Sequence, residues 1–130
     1  YLKLVRPELI GDDPLREAVA GNMARLHAYP NMIAGENIVD SILTKTPGLI
    51  GKSGALGVYA MGIRELGLGV VVKVMDGSHD EFGAIAVRVL EMLKCAPETA
   101  GEIKKFYPDD IVNDNREVVG RRKAVFGLSV

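Results

Sequence analysis

LIGKSGALGVYAMGIRELGLGVVVKVM, residues 49–75, is the stretch with the clearest local texture. Glycines fall at 51, 54, 57, 62, 67 and 69, and between them lie short apolar runs, Leu49-Ile50, Val58-Tyr59 and Val70-Val71-Val72. Apolar, β-branched and aromatic runs punctuated by glycine suit strands. The pattern predicts three, near 48–53, 55–63 and 67–75. Only a few residues separate Ile63 from Gly67, so the second and third strands should form an antiparallel hairpin.

Working outward, the flanks read as helices. Asp12 and Asp13 precede Pro14, which suits a helix start with proline in the first turn. Leu15, Val19, Met23 and Leu26 then recur at helical spacing, predicting an amphipathic helix over 13–28. Tyr29-Pro30-Asn31 breaks it. After Gly35, the set Ile38, Val39, Ile42 and Leu43 predicts a shorter helix ending near Lys45, closed by Pro47-Gly48.

Downstream, Asp76-Gly77 ends the strand region, and Ser78 with Glu81 matches a capping box. Phe82, Ile85, Ala86, Val89 and Leu93 would share one face of the helix that follows, a face suited to packing on the sheet. Thr99 to Phe106 predicts one more short helix and Val118 to Leu128 a last strand. Asp109, Asp110, Asp114 and Asn115 predict a solvated loop between them. No internal repeat, low-complexity tract or linker interrupts residues 1–130, which read as a single α+β unit, an antiparallel sheet packed against helices.

Bulk properties narrow the function. With 130 residues the chain is long enough for one core. Its 48% hydrophobic and 25% charged residues are an ordinary globular balance. Sixteen basic and seventeen acidic residues leave a formal charge of −1, and only Arg121-Arg122-Lys123 forms a basic run. Nothing in that balance calls for nucleic acid or an acidic membrane. The single cysteine, Cys95, excludes an internal disulfide and a thiolate cluster, and fits a reducing, cytoplasmic setting. No run approaches the roughly 20 apolar residues that span a bilayer. The chain opens on Tyr1 in ordinary sequence, as a piece of something longer would.

Gly51-Lys52-Ser53-Gly54 is the segment most open to chemistry. A phosphate-binding loop would need glycine at position 46, which is Thr46, and a helix after it, where a strand pattern follows. The other reading puts Lys52 near the end of a strand, with Gly54 letting a substrate approach the backbone. An ammonium there can lower the pKa of a nucleophile or anchor a carboxylate, and amides around Gly54 and Ala55 can face an oxyanion. A merely solvated lysine in a glycine-rich edge strand stays open beside it. Asp40 can orient a substrate amine or a catalytic group, or simply complement the helix dipole. His27 and His79 lack ligand partners at useful spacing and read as solvated or capping.

Longer motifs carry a resemblance. Met32-Ile33-Ala34-Gly35, Asp40-Ser41, Pro47-Gly48, Lys52-Ser53-Gly54-Ala55 with Gly57-Val58, Leu66-Gly67-Leu68-Gly69, Lys73 and Asp76-Gly77 run in an order and spacing that resembles the asparaginase II family. The likeness runs from roughly residue 28 to 95. It implies a fold similar to glutaminases and serine β-lactamases, of which this chain would be the C-terminal portion, and hydrolysis of L-asparagine to aspartate and ammonia. It also implies a Ser-x-x-Lys nucleophile pair in the N-terminal part, with the strand lysine matching Lys52 completing a second serine-lysine couple. For some members it implies zinc, held by cysteines in the part preceding this chain. Neither a Ser-x-x-Lys nor a cysteine pair occurs in these 130 residues. Ile38 stands where the family pattern Ala-Gly-x-x-Arg-x-Asp-Thr has arginine, and Leu56 where Lys-x-Gly-Ala-Glu-Gly-Val has glutamate.

Together these readings make Lys52 the catalytic candidate and Asp40, Ser41, Ser53, Gly54 and Ala55 the substrate-binding candidates, with no residue assigned to a metal. One functional expectation is the C-terminal part of a serine-lysine amidohydrolase that needs the N-terminal part of the same protein. The other is a non-catalytic binding or subunit-interaction domain of the same fold. Open sheet edges lead to an expectation of homo-oligomers.

Overall fold

Asp12 caps the first long helix: its side chain accepts the amide proton of Leu15 at 2.8 Å, one of the donors a helix start leaves unpaired. That helix, α2 (Asp13–Ala28), follows a short helix α1 (Leu2–Val5) and a 3₁₀ turn at Pro7–Leu9. The computed structural model describes residues 1–129, which fall into two compact units, a first comprising Tyr1–His79 and a second beginning at Asp80. Among the described residues no helix is long and apolar enough to cross a membrane.

In the first unit a 3₁₀ turn at Pro30–Met32 leads to α3 (Val39–Lys45), and then to strands β1 (Leu49–Gly54), β2 (Val58–Ile63) and β3 (Leu68–Lys73). These match the expected elements to within a few residues. The sheet is antiparallel in the order β1-β2-β3, with Ser53 opposite Tyr59 and Ile63 opposite Leu68. The central strand is buried at five of its six positions, whereas β3 alternates between half-buried and exposed, as a strand with one wet face does. Helix α3 runs along β1, and all its residues from Val39 to Thr44 are buried.

Two glycines opposite each other, Gly62 and Gly69, let α1 approach the sheet. A Cβ on Gly62 would sit 3.0 Å from the Tyr1 carbonyl oxygen, and one on Gly69 would sit 3.1 Å from the Leu2 nitrogen. Val5, Met23 and Ile50 form a buried cluster there, joined by Leu4, Val19, Leu26 and Ile33. Each such side chain contributes about 1.5–3 kcal/mol when fully withdrawn from water. Arg64, in the β2–β3 turn, ties the segment down by donating to the Val5 carbonyl and to both carboxylate oxygens of Glu8.

The second unit begins with α4 (Phe82–Met92) and α5 (Pro97–Phe106), which pack on each other; Ala86 and Leu90 of the one and Ala100 and Ile103 of the other are buried. The expected capping box does not form. Asp76 instead accepts the Ser78 amide proton at 2.8 Å in a local turn, and α4 starts only at Phe82, with no side-chain cap. Helix α5 begins two residues earlier than expected, at Pro97, whose fixed φ suits a first turn.

The expected acidic loop is partly a strand. Asp110–Val112 (β4) pairs with Val118–Arg121 (β5), and Asn113 organises the turn by accepting amide protons from Asn115 and Glu117, both at 3.0 Å. Arg121 crosses to Asp110 at 2.7 Å. The strand expected over 118–128 stops at Arg121 because β4 offers only three residues to pair with. With helices and antiparallel strands in both units, the fold class is α+β.

Candidate functional site

The site candidates converge on one end of β1. Ser53 follows Asp40 by thirteen positions, yet α3 lies along the strand and brings the Asp40 carboxylate to it. Asp40 Oδ2 accepts three hydrogen bonds: from the Ser53 amide at 2.9 Å, the Ser53 hydroxyl at 2.8 Å and the Lys52 ammonium at 3.3 Å. Lys52 Nζ also donates to the Ser53 carbonyl at 2.8 Å and to Ser53 Oγ at 3.3 Å. All three ammonium protons therefore have acceptors.

Burial divides these groups. Asp40 is 0% exposed, and its second oxygen, Oδ1, has no hydrogen-bond partner among the described residues. The Lys52 side chain keeps 41% of its surface exposed. Gly54 and Ala55 are exposed beyond it, where β1 turns into β2. A Cβ on Gly54 would meet only Val58, at 3.6 Å, an ordinary contact. Packing therefore does not demand glycine there, and its bareness leaves an open approach to the backbone beside Lys52. Ser41 is not drawn into the cluster: it is buried, and its hydroxyl has no hydrogen-bond partner among the described residues.

What the arrangement can do chemically follows from these contacts. An ammonium held by a buried carboxylate, on a side chain that is itself half-exposed, is fixed in place at the edge of the surface. It can steady a developing negative charge, anchor a carboxylate or exchange a proton with a neighbouring hydroxyl. The Ser53 hydroxyl, by contrast, already gives its proton to Asp40.

Residues 3–124 match the family model described as L-asparaginase II. The chain belongs to the L-asparaginase II family. No curated protein matches it.

In this asparaginase II chain several supporting residues escape a reading by motif. Thr44, fully buried, accepts the Gly51 amide proton through Oγ1 at 3.4 Å, and its carbonyl accepts from His27 Nδ1 at 2.7 Å. Of the solvated and capping roles expected for His27, the contact fits capping: half-buried, it donates to one of the last carbonyls of α3 and ties α2 to the helix that holds Asp40. Tyr59, 0% exposed and opposite Ser53, fills the space that a Cβ on Gly51 would need. The spacing of Asp40 and Thr44, one helical turn apart, was the available signal, since both fall on one face of α3. Tyr1 lies within the field of Asp40: burial first, and then the Asp40 carboxylate, raise its phenol above the ordinary value.

The donor set for zinc, implied for some members, is not found in these residues. Among the described residues no group of three or more His, Cys, Asp or Glu side chains could hold a metal ion, and the single cysteine, Cys95, is buried.

Proposed function

We propose that this chain carries the lysine half of an amide-hydrolysing site, acting on L-asparagine or a related amide to release the acid and ammonia. The supporting observation is the Lys52 ammonium, fixed by Asp40 and Ser53 at the strand end on a side chain that keeps 41% of its surface exposed. Family membership supplies the reaction class. Lys52 acts as the charged partner of a serine nucleophile contributed from the N-terminal part of the same protein: it draws the hydroxyl towards its reactive form and steadies negative charge in the transition state. Asp40 and Ser53 hold Lys52, and Gly54 and Ala55 admit the substrate. Ser41 lies under the site as support. The protein is proposed to be cytoplasmic and to self-associate through its sheet edges.

A second reading, a non-catalytic binding or subunit-interaction domain, is favoured by Ile38 and Leu56, which replace the arginine and glutamate of the family pattern. Leu56 is 76% exposed, an apolar side chain where the pattern has an anion. Ammonia release from L-asparagine by the whole gene product, against its Lys52→Ala variant, separates the two. The enzyme reading expects a loss of about a hundredfold or more, as removal of a charge-stabilising group gives. A well-folded parent that releases no ammonia from asparagine, glutamine or related amides would leave the binding domain.

A further inference from the structure

We infer that Asp40 is a positioning residue that acts through Lys52 and does not touch the substrate. This deepens the amide-hydrolysis proposal and rests on it. A substrate-binding group must present an atom to the substrate. Asp40 presents none: the residue is 0% exposed, and its unbonded Oδ1 is as closed to solvent as the rest of the side chain. Lys52 is the member of the pair that reaches the surface.

The hydrogen bonds give Asp40 a definite task. Lysine is a point charge on four rotatable methylenes, and without an anchor its ammonium sweeps a wide volume. Here one carboxylate oxygen takes both the ammonium and the amide of the next residue, Ser53, so the charge and the strand end are located by the same atom. The Ser53 hydroxyl braces the pair, donating to Asp40 and accepting from Lys52.

A neutral acceptor would satisfy the two Ser53 protons equally well. Burying a carboxylate with one oxygen unbonded is unfavourable unless a charged partner compensates it. The group that responds to that charge is the ammonium 3.3 Å away.

A double-mutant cycle on the whole gene product tests this, with Asp40→Asn, Lys52→Ala and the pair compared in steady-state ammonia release. Asparagine keeps an acceptor oxygen for Ser53 while replacing the charge, and the unbonded Oδ1, by a neutral amide NH2. The expected result is a fall in kcat of about tenfold or more with KM within about twofold, and a change under about twofold once Lys52 is alanine, since residues acting as a unit are not additive. A raised KM with kcat retained would make Asp40 a substrate contact and overturn the inference. So would no loss at all, or an equal loss in both backgrounds. Should Asp40→Asn fail to fold in a thermal scan, Ser53→Ala loosens the same clamp from its other side and is held to the same criteria. Lys52→Ala with parental kcat is a different outcome, which removes the amide-hydrolysis proposal itself.

Discussion

Ser53 gives both its amide proton and its hydroxyl proton to one atom, Oδ2 of Asp40, at 2.9 and 2.8 Å. The strand that carries the lysine is thereby fastened to α3 as well as to β2. Asp40→Ala leaves two Ser53 donors and the Lys52 ammonium without that acceptor, while Lys52 recovers water because it is half-exposed. Unpairing half-buried donors costs about 1–3 kcal/mol. Urea unfolding of Asp40→Ala should show a loss in that range, and Asp40→Asn a smaller one. Equal midpoints for parent and Asp40→Ala would mean that the clamp contributes nothing to the fold.

Two glycines three positions apart should respond unequally to alanine. At Gly51 a Cβ would lie 2.5 Å from the Tyr59 hydroxyl and 2.8 Å from Leu43 Cδ1, both on fully enclosed side chains. Overpacking of this kind costs about 1–3 kcal/mol. At Gly54 the nearest atom is 3.6 Å away, so the backbone tolerates the methyl group. Gly51→Ala should therefore lower the unfolding midpoint clearly. Gly54→Ala should leave it within about 0.5 kcal/mol, as substitutions away from packed features do, while reducing ammonia release if substrate approaches the strand there. A stable and fully active Gly54→Ala would close that approach route.

The sheet and its flanking helices were legible because their signals are local. Glycine punctuation marked β1, β2 and β3, and Leu15, Val19, Met23 and Leu26 marked α2 through their spacing. The Asp40–Lys52 contact was not legible in that way: it depends on how α3 is laid along β1, a tertiary fact that no local period carries. The short strand β4 was hidden for a different reason. Its one charged residue, Asp110, reads as solvated loop, and only the cross-strand Arg121 makes it a pairing position. His27 shows the same limit, since its partner is a backbone carbonyl, which has no sequence signature.

Stability should be flat across neutral pH and fall at both ends. Glu8 is held below its ordinary value of 4.5 by a bond from its own backbone amide and by Arg64, and Asp76 below 3.8 by the Ser78 amide. Depressed carboxylates contribute stability above those ordinary values and lose it as pH falls through the lower folded ones. Tyr1, raised above 10.0 by burial and then by Asp40, and Lys104, raised above 10.5 by its hydrogen bond to Glu91, act in the opposite direction. Their contribution is complete below the ordinary values and disappears as pH rises through the folded ones. Glu8, Asp76 and Lys104 lie at the surface, so their slopes should be shallow and should weaken further in salt. Urea midpoints against pH would measure this, and Glu8→Gln should flatten the acid limb. An acid limb unchanged in Glu8→Gln would remove Glu8 as its cause.

In the second unit, Gly83 of α4 lies against the ring of Tyr107, the residue just past the end of α5. A Cβ on Gly83 would fall 2.3 Å from Tyr107 Cγ and 2.6 Å from Cδ1, distances that real atoms do not tolerate. Helix propensity alone favours alanine over glycine by about 0.8–1.0 kcal/mol. The collision outweighs that gain, because the ring must move or the helices must part, at about 1–3 kcal/mol or more. Gly83→Ala should therefore unfold at lower urea than the parent. Adding Tyr107→Ala should restore part of the loss, making the double variant more stable than the sum of the two single effects. Strict additivity would mean that the two positions do not meet, and that glycine at 83 answers to some other contact.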